Sequence, residues 1–141
     1  MQITNYLSKK ILNSVLNGAE FKMLSIHVGL STYTAPTKCG FIDHRDISPS
    51  DIKYLIDNEV TGDTYARVEV PIKDYNPDNK ENKVTVTFNT PTSSWGEVRY
   101  MLIYDAATGG NLLAFAPIRQ TKIEKDYTLH ITIPLYIPDS E

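Results

Sequence analysis

Two carboxylates flank a histidine at Asp43-His44-Arg45-Asp46, residue types that can ligate a metal or exchange a proton. Their spacing fits no standard ligand motif, and Arg45 between them suits solvated charge pairing. Cys39 is the only cysteine, which excludes an intrachain disulfide and a zinc ribbon or knuckle. As a nucleophile it would need a base, and the nearness of His44 in sequence says little about geometry. Gly109-Gly110 would suit a phosphate only in a loop leading into a helix, whereas here the glycines join two strands. The chain contains no P-loop, GxSxG, HExxH or dinucleotide fingerprint. A glycosidase pair drawn from 17 acidic residues carries no weight, because so many pairs are available. The sequence therefore predicts a non-enzymatic protein without cofactor or metal.

Recognition chemistry is better represented. Nine tyrosines and one tryptophan favour a binding surface. Tyr33, Tyr54, Tyr75 or Trp95 would serve a carbohydrate platform. Trp95, followed by Gly96 at the start of a hairpin, reads instead as a core anchor.

The elements that position these residues are mostly strands. Across residues 95–104, Val98, Tyr100, Leu102 and Tyr104 alternate with Glu97, Arg99, Met101 and Ile103, the period of a β-strand. Residues 105–111 (DAATGGN) supply a reversal, with the paired glycines taking positive φ. Residues 112–116 return, and Pro117 is expected to close the strand. Further alternation predicts strands over 23–30, 65–72, 84–88 and 128–137. It places His27 on a polar face as a surface histidine, and Arg67 on the same side as Glu69.

Ahead of them, Leu7, Ile11, Leu12, Val15 and Leu16 form one apolar stripe of a helix within residues 1–18. Thr4 or Asn5 caps its start and Asn17-Gly18 stops it. About three turns are not stable alone in water, so the stripe must pack on this chain's sheet or on a neighbouring subunit. A short helix, capped by Ser50, is predicted to turn Ile52, Leu55 and Ile56 inward. The fold class is mainly β: an antiparallel β-sandwich with one N-terminal amphipathic helix, in a single domain over residues 1–141.

Composition narrows the partners. A net charge of −3 with no basic run longer than Lys9-Lys10 gives no reason to approach nucleic acid. No apolar run approaches the ~20 residues needed to span a bilayer. The amino terminus lacks the pattern of a signal peptide, so a soluble protein made inside a cell is expected.

The hairpin also carries a resemblance. Trp95-Gly96, then Ile103-Tyr104-Asp105-Ala106-Ala107-Thr108-Gly109-Gly110-Asn111-Leu112-Leu113, is similar to a family of small tailed-phage virion proteins. They are usually labelled tail-fibre-like, and related β-proteins decorate capsids. The similarity extends to the amino-terminal helix and to Tyr65-Ala66-Arg67. Residues 38–63 depart from the family pattern and read as an inserted contact loop. The resemblance implies a virion protein, associated with tail or fibre, that acts through contacts with other virion subunits as a homo-oligomer or symmetric array. The alternatives are a capsid decoration protein bridging capsomers and a carbohydrate-binding host-attachment module. Leu7 and Ile11 on the helix, and Phe41, Ile52, Tyr54 and Leu55 in the insertion, are the expected contact residues.

Overall fold

The structure, a computed structural model, describes residues 2–20, 25–34, 51–70 and 83–134. In chain order these form β1 (Gln2–Ile3), α1 (Asn5–Asn17), β2 (His27–Ser31), α2 (Ile52–Asp57), β3 (Val68–Glu69), β4 (Lys83–Thr87), β5 (Gly96–Tyr104), β6 (Leu112–Ile123) and β7 (His130–Pro134). All strand pairs are antiparallel, in a five-stranded sheet of order β1-β6-β5-β2-β3 and a two-stranded sheet of β4 and β7. The mainly β sandwich with an amino-terminal helix is thus the architecture observed.

The long β5–β6 hairpin organises the larger sheet. Gly109 (φ 60°) and Gly110 (φ 71°) take the left-handed conformation that lets its loop reverse. Asp105 then ties the loop's ends together, its Oδ1 accepting from the Asn111 backbone N–H at 2.7 Å. Strand β2 lies against β5 in a register that pairs Val28 with Ile103 and Leu30 with Met101. Those four residues pack towards the smaller sheet, where Val86, Phe88, Leu129 and Ile133 meet them around buried Trp95 and Val98. Trp95 is the core anchor that its position at the head of the hairpin suggests.

Two irregularities change the alternation read from sequence. A bulge between Val98 and Tyr100 shifts the phase of β5. Val98 therefore shares a face with Met101 and Ile103, while Tyr100, Leu102 and Tyr104 point to the other. Strand β6 also continues through Pro117 to Ile123. Pro117 lies opposite Tyr100, next to the bulge, and β6 has a partner there only on its β5 side, so the missing N–H leaves the ladder intact.

The far face of the larger sheet is covered as well. Tyr100, Leu102, Tyr104, Leu112 and Phe115 form a second apolar cluster, closed by Leu55 of α2. Strand β2 is consequently buried along its whole length, which corrects the expectation of a surface His27. His27 is 9% exposed, with Nε2 2.9 Å from the Ser25 hydroxyl. A central strand covered on both sides has no wet face to offer a histidine. Strand β3 is only two residues long, and of the strand predicted over 65–72 only Val68 and Glu69 are in a strand among the described residues.

Helix α1 has the predicted ends. The Thr4 side chain accepts from the Leu7 N–H at 3.4 Å, and Gly18 (φ 68°) closes the helix with its N–H on the Asn13 carbonyl. Thr4 also fixes the helix start to β6, its hydroxyl donating to the Leu112 carbonyl at 2.7 Å. The predicted stripe, however, does not enter the core. No residue of α1 is buried, and Ile11, Leu12, Val15 and Leu16 are 40, 55, 73 and 74% exposed.

Candidate functional site

Beneath the hairpin loop lies a cluster of charged and aromatic groups from three separate parts of the chain. Residues 51–67 form a strap that starts with α2 on the far face of the sheet and then follows the edge of β2, where Glu59 pairs with Ser31, and Val60 and Tyr65 reach the core around Trp95. Near one end the Ser31 hydroxyl donates to the Leu55 carbonyl at 2.9 Å, and the Val60 N–H donates to the Leu30 carbonyl at 3.0 Å. At the other end Arg67 forms a fork on Glu59, Nε to Oε2 at 2.9 Å and Nη2 to Oε1 at 2.8 Å. Its Nη1 reaches the loop and donates to the carbonyls of Ala106 and Gly109 at 2.9 and 2.8 Å. The guanidinium lies 3.4 Å from the centre of the Tyr104 ring. Tyr65 completes the cluster, donating to Glu59 Oε2 at 2.7 Å and accepting from the Leu30 N–H at 3.0 Å.

Gly29 makes room for this arrangement. A Cβ there would stand 2.7 Å from Glu59 Oε2 and 2.8 Å from the Tyr65 hydroxyl oxygen. The ion pair is largely withdrawn from water, with side-chain exposures of 8% for Arg67 and 17% for Glu59. Burial opposes the Arg67 charge, but the Glu59 carboxylate outweighs burial and holds the guanidinium more firmly protonated than usual. Burial, then the Glu59 hydrogen bond and charge, push the Tyr65 hydroxyl far above the usual phenol range. Burial also pushes Tyr104 up to about 12, assisted by Glu59 and opposed by Arg67. Four of the five guanidinium donors are committed and the carboxylate accepts three bonds, so the cluster holds the strap and the hairpin loop together. This differs from the expected same-face pair of Arg67 and Glu69.

Beside the cluster, a cleft of about 490 Å³ opens between α2, the strap and the loop at Ala107, Thr108 and Gly109. A second groove of about 430 Å³ runs between the first turn of α1 and α2, lined by Tyr6, Ile52, Ile56, Asp57 and Leu112 among others. Tyr54 and Ile56 stand out from α2 at 52 and 40% exposure. Tyr54 stacks on Tyr33, ring centres 6.0 Å apart and planes at 13°.

The predicted contact residues separate accordingly. Ile11 and Tyr54 are exposed, Leu7 is half-buried, and Ile52 is half-buried against the second apolar cluster while lining the groove. Leu55 is fully buried and holds α2 to the sheet, so it presents no surface to a partner. Phe41, Cys39 and the Asp43–Asp46 run lie outside the described residues. Among the described residues no three His, Cys, Asp or Glu side chains converge as metal ligands. No helix among them is long and apolar enough to cross a membrane. Sequence reasoning missed Glu59 as the partner of Arg67, and the only signal pointing there was the Tyr65-Ala66-Arg67 similarity.

The family model described as podophage GP4 fiber I protein gp80 matches residues 2–133, nearly the whole chain. No curated protein matches the sequence. The chain belongs to that phage fibre family.

Proposed function

We propose that this member of the phage fibre family is a non-enzymatic virion protein, built into the fibre apparatus by burying exposed apolar surface against neighbouring subunits. One observation carries the reading. The 13 residues of α1 include none that is buried, yet four large aliphatic side chains project along one side of it. A helix of this length gains its stability from packing, so a face left bare by its own sheet is suited to another protein. Apolar burial at roughly 25 cal/mol per Å², less the cost of ordering, supplies the affinity. Repetition by particle symmetry multiplies weak contacts into firm attachment. Tyr54 and Ile56 on α2 and the groove beside them extend the apolar surface available.

The test is the copy number per purified particle, by quantitative mass spectrometry against the major capsid protein. A small multiple of the tail's rotational symmetry is expected. A number comparable with the major capsid protein would replace the fibre position with capsid decoration. Absence from the particle would defeat the assembly role.

A further inference from the structure

We propose that the cleft beside the Arg67–Glu59 fork is a saccharide site, which takes a neutral sugar by two adjacent hydroxyls. The proposal goes beyond the assembly reading and does not depend on it. Among the described residues, the fork leaves one donor and one acceptor open. Nε and both N–H groups of Nη1 are committed, but Nη2 directs only one of its two at Glu59. Oε2 accepts from Arg67 and Tyr65, whereas Oε1 accepts from Nη2 alone. The open N–H and the open lone pair thus sit on neighbouring atoms, 2.8 Å apart. Both residues line the cleft of about 490 Å³, a volume typical of small-molecule sites. Adjacent hydroxyls of a pyranose hold their oxygens at a similar spacing. One can accept from Nη2 while the other donates to Oε1.

The rest of the lining sorts ligands by charge and shape. Arg67 and Glu59 neutralise each other, and the exposed Asp57 adds one further carboxylate. A phosphate, sulfate or uronate would therefore meet unbalanced negative charge, and a cation would meet the guanidinium donor. A neutral polyol meets neither. Ile56 and Val60 supply an apolar wall for the C–H face of a sugar ring, and Thr108 stands across from them on the hairpin loop. The fork is also held in place before any ligand arrives. Tyr65, the Tyr104 ring and two loop carbonyls fix both of its members, so little ordering is left to oppose binding.

The experiment is a titration of the full chain followed by proton–nitrogen correlation NMR. The probes are the methyl glycosides of glucose, mannose, galactose, rhamnose and N-acetylglucosamine, each taken to tens of millimolar. At least one should bind, with the shifted resonances centred on Glu59, Arg67 and Thr108. Thr108→Trp fills the cleft from an exposed position and should weaken that sugar by about tenfold or more, with the thermal midpoint unchanged. Should this variant fail to fold, the shift map of the unaltered chain decides alone. Among monodeoxy forms of the binding sugar, two that lack neighbouring hydroxyls should each bind about tenfold more weakly, because each leaves one member of the fork unpaired. Equal affinity across that series would overturn the two-hydroxyl contact. Binding by none of the probes, or tighter binding of glucuronate than of glucose, would overturn the site. Shifts confined to Tyr33 and Tyr54, with binding lost in Tyr54→Ala and kept in Thr108→Trp, would place the sugar on the stacked tyrosines and defeat the proposal.

Discussion

Arg67 and Glu59, eight positions apart, meet in a two-pronged ion pair of 2.9 and 2.8 Å that locks the strap beneath the β5–β6 loop. The same guanidinium lies on the Tyr104 ring and binds two loop carbonyls, so one side chain joins the strap, the central hairpin and its turn.

Replacing Arg67 by Ala leaves the Glu59 carboxylate in a mostly dry site and frees the loop carbonyls. Unfolding free energy should drop by about 3–5 kcal/mol in chemical denaturation. Arg67→Lys should recover only a minor part, because an ammonium cannot bond both carboxylate oxygens and the carbonyls in the fork geometry. A Lys variant as stable as the original would show that the fork contributes little.

Gly29→Ala tests the space allotted to the same cluster. The added methyl would stand 2.7 Å from the carboxylate and 2.8 Å from the Tyr65 oxygen, too close to remain. The strap must shift, at an expected cost of about 1–3 kcal/mol. Thermal unfolding gives the value, and a shift in near-ultraviolet circular dichroism should report the displaced Tyr65, whose ring meets Trp95 edge-on at 5.4 Å.

Alkaline titration should divide the tyrosines. Tyr104, raised by burial from 10.0 to about 12, stays protonated in the fold after exposed phenols have ionised. A folded pKa above the unfolded one means stability present below pH 10 and lost as pH rises towards 12. Phenolate absorbance should therefore rise in two stages, the later one coinciding with unfolding. Tyr104→Phe should remove its share of that pH dependence; an unchanged profile would assign the late stage elsewhere.

Two neighbouring residues of α2 should respond oppositely to truncation. Leu55 is fully buried, and Leu55→Ala should cost about 2–5 kcal/mol through lost burial and a cavity. Tyr54 is half exposed, and Tyr54→Ala should change stability far less. Assembly competition between Tyr54→Ala and unaltered chain then reports on contact alone. Equal incorporation would remove Tyr54 from the contact surface.

The sequence by itself determined the local elements. Thr4 and Gly18 bound α1, Gly109 and Gly110 turn the hairpin, and alternation marks β5, β4 and β7, because caps, turns and period act over a few residues. Trp95 was legible as core for the same reason. Tertiary structure decided what each face meets. His27 reads as polar-face until a strap covers β2, and the α1 stripe suits either this sheet or a neighbour until the sheet is seen to leave it bare. One bulge reassigns Val98 across the sheet without a mark in the composition. The Arg67–Glu59 pair also depends on Gly29 and on the hairpin loop, both distant in sequence. Such contacts arise only when separate segments are brought together, and no local pattern encodes their meeting.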